Sequence, residues 1–228
     1  MPHSISLFDV AGPIMVGPSS SHTAGACKIG QIARALFHGT PTKVDFYLYG
    51  SFAEVYQGHA TDKALLAGVL KLWTSDPKIK ESFKIAKEKK LEYRFIPVKK
   101  APEHHPNTVR IILKNSKRKV SVVGSSIGGG KVEITQINNV PLNLEASIGR
   151  FFTLIIGHDN KKSLLLPLYK QLTDWGVPLA EKITSVFGDN GITLLNIENH
   201  YLKLPQVLEL EKISGIHFVR ALTKLLKY

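Results

Sequence analysis

The dipeptide Asn190-Gly191 lies between two short apolar runs, Glu181–Phe187 and Ile192–Glu198, and constrains this chain more than any other pair of residues. Asn-Gly adopts the positive φ angles of a tight hairpin turn at little cost, so the two runs are predicted to pair as antiparallel strands across Asp189-Asn190-Gly191. The surrounding periods are equally distinct. They predict a strand at Phe151–Ile156, a helix at Leu164–Trp175, a short helix after Pro205 and a strand at Gly215–Ala221. The resulting order, βαββαβ, is that of the ferredoxin-like split motif.

The residues before Phe151 follow another plan. Beyond GPSSSHT, the residues Ala26, Ile29, Ile32, Ala33 and Leu36 recur at spacings of three and four. This predicts an amphipathic helix from near Thr23 to the breaker at Gly39–Pro41. Lys43–Tyr49 alternates as a strand does. Thr61 or Asp62 is placed to cap a second helix with Leu65, Leu66, Val69, Leu70 and Trp73 on one face, and a charged helix follows Pro77. Strands are predicted at Tyr93–Val98, Val109–Lys114, Lys119–Val123 and Lys131–Ile137. Helices and strands mix without regular βαβ alternation, so the fold class is α+β. The pattern weakens over Asn138–Arg150, which places the expected boundary between domains 1–148 and 149–228.

A hydrophobic content of 43% with 21% charged residues supports a buried core and excludes a disordered chain. The apolar runs are too short for a membrane span, and MPHSISLFDVAGP has no basic segment followed by an apolar one, so a cytoplasmic location is expected. The single cysteine, Cys27, excludes an internal disulfide or a multi-cysteine metal site and reads as a small core residue. Of the formal net charge of +12, ten units fall before Phe151. Much of that excess lies in IKESFKIAKEKKLEYRFIPVKK, where acids alternate with lysines as on a solvated helix face, and a nucleic-acid partner is not expected. Ile192–Ile197 also lacks the aromatic residues that an RNA-binding split βαβ module carries on its third strand.

The densest polar cluster, Gly17-Pro18-Ser19-Ser20-Ser21-His22-Thr23, immediately precedes the first helix. Amides at a helix N-terminus with four hydroxyls suit a carboxylate or phosphate, and His22 adds a group that exchanges a proton near neutral pH. An ordinary cap after a proline turn accounts for the same residues, although three serines exceed what a cap requires. Gly58-His59-Ala60-Thr61-Asp62-Lys63 repeats the arrangement, as a proton acceptor or as a surface histidine beside a cap. In His104-His105-Pro106-Asn107-Thr108, Pro106 forces His105 from helical geometry and leaves Asn107 free for a polar ligand, unless the segment is a plain loop. Gly124-Ser125-Ser126-Ile127-Gly128-Gly129-Gly130 offers backbone amides to a small anion but lacks dinucleotide-fingerprint spacing. Gly17-Pro18-Ser19 does not match a hydrolase GxSxG elbow.

In this order, GPSSSHTAGA, GHATDKA, HPNT and SIGGG resemble the small (beta) subunit of the iron–sulfur-dependent L-serine dehydratases, and the resemblance covers essentially the whole chain. It implies an allosteric-substrate-binding-type domain followed by an ACT-like domain, and an alpha-subunit partner whose cysteines bind a 4Fe-4S cluster. It also implies the conversion of L-serine to pyruvate and ammonia, with the cluster as Lewis acid. By the same resemblance His22 and His59 are catalytic and move protons, and Ser19, Ser20, Ser21 and Thr23 cradle the substrate carboxylate. Thr61, Asp62, Lys63, His105, Asn107, Ser126, Gly128 and Gly129 complete the implied substrate-binding set. One departure is the loop His158–Ser163, which lacks the turn glycine of effector-binding ACT domains. It points away from amino-acid regulation and toward homodimerisation or a structural role. Val109 after HPNT, where the family often has Met, is a mild volume change. The competing class is a regulatory module that binds an amino acid without catalysis and has no need of His22 and His59.

Overall fold

In a computed structural model, residues 15–99, 105–144 and 152–222 are described. Contacts divide the chain into two compact units, Met1–Thr135 and Gln136–Tyr228.

The first unit is organised around β1 (Lys43–Tyr49), where Val44, Phe46 and Leu48 are fully buried as the alternation predicts. β1 pairs in parallel with β2 (Glu92–Pro97) and antiparallel with β3 (Thr108–Lys114). The register sets Val44 opposite Leu113, Phe46 opposite Ile111 and Leu48 opposite Val109, which makes one continuous apolar face. β3 then pairs with β4 (Lys119–Gly128), and the strand order is β2-β1-β3-β4-β5, with β5 (Lys131–Ile137) reaching the boundary; β6 (Val140–Leu144) opens the second unit.

Four α-helices are described in this unit: α1 (Ala26–Phe37), α2 (Ser51–Val55), α3 (Thr61–Val69) and α4 (Ser82–Glu88). α1 buries Ile29, Ile32, Ala33, Leu36 and Phe37. It meets α3 backbone to backbone, because a methyl group on Gly68 would overlap the Cys27 carbonyl and one on Gly30 would overlap the Leu65 carbonyl. The Thr23 hydroxyl, ahead of α1, donates to the His59 carbonyl ahead of α3 at 3.4 Å, and Gln31 Nε2, midway along α1, donates to the Leu72 carbonyl past the end of α3 at 2.7 Å. The two helices therefore run in the same sense.

Several predicted boundaries change. A π-helical stretch, Ser20–Gly25, precedes α1, so helical structure begins three residues before Thr23. Neither Thr61 nor Asp62 caps α3; Ala60 precedes it in the left-handed region at φ 54° with no side-chain cap. Leu65, Leu66 and Val69 are buried on α3, but Trp73 lies past its end and is exposed. The short α2 and β6 are additions, and β4 extends through Ser125 and Ser126 to Gly128.

After β6, the second unit runs β7 (Phe152–Asp159), α5 (Leu166–Asp174), β8 (Leu179–Phe187), β9 (Asn190–Ile197), α6 (Leu204–Leu210) and β10 (Ile216–Leu222). This is the βαββαβ order read from sequence. Its sheet is β10-β7-β9-β8 with all neighbours antiparallel. Phe152, Leu154, Ile156, Leu195 and Ile197 pack with Leu168, Leu172, Val207 and Leu210 in its core. The hairpin turn is displaced from the predicted position. Phe187 pairs with Asn190, so the turn is Gly188-Asp189, and Gly188 supplies the positive φ of 58° at its first position. Asn190 and Gly191 belong to β9, where Gly191 leaves room for the His158 ring.

Candidate active site

The polar segment before α1 builds its own first turn. Ser19 Oγ accepts the His22 N–H at 3.1 Å, and the Thr23 N–H donates to the Ser19 carbonyl at 2.9 Å. Ser19 is thus a cap, as the plainer sequence reading held, and the turn it caps is a π turn, a geometry that recurs at functional sites. The half-buried His22 imidazole is held on three sides. Its Nε2 is 3.0 Å from Ser51 Oγ, its ring meets Phe52 edge-on at 5.4 Å, and His59 lies 5.0 Å away at a tilt of 38°. Burial, and secondarily the neighbouring His59, hold the His22 pKa below the ordinary histidine value, so the ring is neutral at neutral pH and able to take a proton.

His59 comes to His22 because the helices that follow each of them pack at Gly30 and Gly68 and run in the same sense. Ser51 and Phe52 come from the start of α2. Gly50, at φ 52°, lets the Pro106 carbonyl approach where a Cβ would collide, and the Phe52 N–H donates to that carbonyl at 3.5 Å. This links the His105–Thr108 loop to the same corner. Within it, Asn107 N–H donates to His105 Nδ1 at 3.2 Å, and the Thr108 hydroxyl donates to the His105 carbonyl at 2.6 Å. Asn107 is less free than the sequence suggests. Its carbonyl accepts the Ser126 N–H at 2.9 Å and its Nδ2 donates to the Ser126 carbonyl at 3.5 Å, which ties the loop to β4. Ser126 is fully buried beside Gly25, and its hydroxyl has no partner among the described residues.

The other candidate residues have contacts of their own. The Thr61 hydroxyl is fully buried without a partner among the described residues. The Asp62 carboxylate accepts the Lys63 N–H at 2.7 Å, and burial raises its pKa despite that bond. Lys63 Nζ lies 6.0 Å from the Phe83 ring centre, toward α4. Gly128 and Gly129, at φ 108° and 57°, belong to the glycine turn between β4 and β5, whose Gly130 carbonyl takes a 2.7 Å bond from Lys28 of α1. Ser20 and Ser21 remain half-buried between the Ser19 cap and His22. His104 lies outside the described residues. Sequence reasoning missed Ser51 and Phe52. The only local signal was a glycine directly after a predicted strand.

Cys27 is fully buried, its thiol donates to the Leu72 carbonyl at 3.6 Å, and burial pushes its pKa up to about 12. A thiol so placed does not fit an iron ligand. Among the described residues no group of three or more His, Cys, Asp or Glu could hold a metal ion, and no helix is long and apolar enough to cross a membrane.

A profile of the serine dehydratase beta chain matches residues 6–136. Over 219 residues the chain is 36% identical to the probable L-serine dehydratase beta chain of Bacillus subtilis (strain 168), covering 92% of this chain and 98% of that one. It is 40% identical over 170 residues to the L-serine dehydratase beta chain of Peptoniphilus asaccharolyticus, covering 74% and 75% of the two chains. A shorter match, 42% over 71 residues, joins 28% of this chain to 15% of L-serine dehydratase 2 of Escherichia coli (strain K12). The chain belongs to the serine dehydratase beta-chain family. Its part is that of the beta chain of an L-serine dehydratase, an ammonia-lyase, and a beta chain implies an alpha-chain partner.

Proposed function

We propose that this chain supplies the proton-handling half of a site that removes water from L-serine, and that the alpha chain supplies the rest. The elimination takes the weakly acidic Cα proton and expels the β-hydroxyl, and the aminoacrylate formed yields pyruvate and ammonia. The observation that carries the reading is the apposition of His22 and His59, two imidazoles 5.0 Å apart at the heads of packed helices. One ring accepts the proton while the other orients substrate or returns a proton. The neutral state that burial gives His22 suits the accepting role.

The carboxylate is held by the Ser20–Ser21 portion of the first turn. Ser19 and Thr23 serve that binding indirectly, because Ser19 caps the turn and Thr23 bonds to the His59 carbonyl. Asn107 and Ser126 support the adjoining wall, with His105 at its exposed rim. Thr61, Asp62, Lys63, Gly128 and Gly129 act on substrate only through the shape of the helix and turn that contain them. The 4Fe-4S cluster belongs to the alpha chain in this reading, since one buried, protonated thiol offers no cluster site here.

The second unit has the βαββαβ order of an ACT-like domain. Its Asp159 carboxylate is held by Lys161 and His217, each at 2.7 Å, so the loop where such domains take effectors is closed by its own side chains. A structural or pairing role follows. β8, an end strand of the described sheet with exposed Leu179, Val186 and Phe187, is the surface for homodimerisation.

In enzyme reconstituted with the alpha chain, His22→Ala and His59→Ala should each lower turnover by at least about a hundredfold. Wild-type turnover in both variants would contradict the assignment.

A further inference from the structure

We propose that Ser51 is a positioning residue that engages Nε2 of His22 and so turns Nδ1 toward the substrate proton. The inference rests on the reading of His22 as a proton-transfer group and assigns the nitrogen it uses. Three observations support it. Ser51 Oγ lies 3.0 Å from Nε2, within hydrogen-bond range, so that nitrogen already has a partner. The Phe52 edge and the His59 ring close on the same imidazole, which fixes its plane and leaves it little freedom to turn. Ser51 is itself held in place, because it opens α2 directly after Gly50, whose φ of 52° and close approach to Pro106 anchor that turn.

The chemistry then sets the direction of the bond. A neutral imidazole has one N–H and one lone pair, and the nitrogen that takes a proton must hold the lone pair. For Nδ1 to take the substrate proton its lone pair must sit there, so Nε2 carries the hydrogen and donates it to Ser51 Oγ. Ser51 thereby orients the base from behind, as a third group does in a nucleophile–base pair. The hydroxyl accepts more strongly from the imidazolium than from the neutral ring, so it also supports the charged form that appears once the proton is taken. The titratable groups on the elements packed around His22 are His59, Glu54 of α2, Asp62 and Lys63 of α3, Cys27, Lys28 and Arg34 of α1, Lys119 of β4 and His105 of the neighbouring loop. Of these, His59 is the charge that bears on His22.

The test uses the full chain, alone for spectroscopy and with its alpha chain for kinetics. Nitrogen-15 spectra of the His22 ring in wild type should show one neutral tautomer with the hydrogen on Nε2. Ser51→Ala should convert it to a mixture of tautomers, and Ser51→Thr, which keeps the hydroxyl, should restore the single form. In the complex, Ser51→Ala should lower kcat by about tenfold with KM within twofold. The acid limb of its pH profile should move to lower pH, and Ser51→Thr should recover most of the loss. In a His22→Ala background, Ser51→Ala should cost nothing further, because its effect passes through the missing ring. A His22 ring with its hydrogen on Nδ1, or an equal loss in the His22→Ala background, would overturn the proposal. If His22→Ala itself turns over normally, the catalytic reading of His22 fails, and the tautomer measurement still decides whether Ser51 sets the ring.

Discussion

Asp45 is a carboxylate that the sequence hides. It lies on the face of β1 opposite Val44 and Phe46, where alternation predicts a solvent-facing residue, yet it is 1% exposed. Arg94 Nε donates to it at 2.7 Å and Lys114 lies 3.6 Å away, each on a strand flanking β1. The Arg94 bond, aided by the charges of Arg94, Lys114 and Lys43, outweighs desolvation and holds the Asp45 carboxyl below the ordinary carboxylate range. A depressed pKa in the folded chain means stability that is full above the unfolded value and lost as pH falls through the folded one. Asp45→Asn should therefore lower stability at pH 7 by about 1–3 kcal/mol and flatten the loss of stability below pH 4, as read from urea midpoints across pH. A similar limit applied at the site. His22 and His59 stood out as histidines placed before helix starts, whereas Ser51 is one serine among many until Gly50 and Pro106 fix where it points.

Periodicity located β1 and α1 because the apolar residues of each fall on one face, and the alternation in β1 and the spacing of three and four in α1 carried straight into the core. It failed where a segment is short or where a residue has two uses. α2 has five residues and β6 has five, too few for a period to appear. Asn190-Gly191 carried a turn signal, but Gly191 is needed for the close approach of the His158 ring, and Gly188 makes the turn. Likewise, Gly30 and Gly68, poor helix formers by propensity, are where α1 and α3 touch. Replacing an exposed helical glycine with alanine gains up to about 1 kcal/mol. At Gly68 the added methyl meets the Cys27 carbonyl and Gly30 Cα, backbone atoms that cannot move aside. Gly68→Ala should therefore destabilise the chain by about 1–3 kcal/mol, visible as a lower denaturant midpoint. It should also reduce turnover, because the same contact sets the separation of the two histidines. A more stable variant with full activity would show that this contact does not align them.

The two units divide the work unevenly. The first unit contains both candidate histidines, the residues that support them and most of the positive charge, while the second has the regular sheet and an exposed edge strand. An excess of ten positive charges before Phe151 favours encounter with an acidic surface, and charge governs the rate of meeting more than the choice of partner. What the chain lacks is as definite as what it has. With one cysteine in 228 residues, even two copies together offer fewer thiolates than a 4Fe-4S cluster takes. The central claim, that this chain moves protons in a site completed by a cysteine-bearing partner, is tested most directly by anaerobic reconstitution with iron and sulfide. The purified chain alone should stay colourless and make no pyruvate from L-serine, and activity should appear on adding the alpha chain. A brown product that makes pyruvate without a second polypeptide would contradict the account.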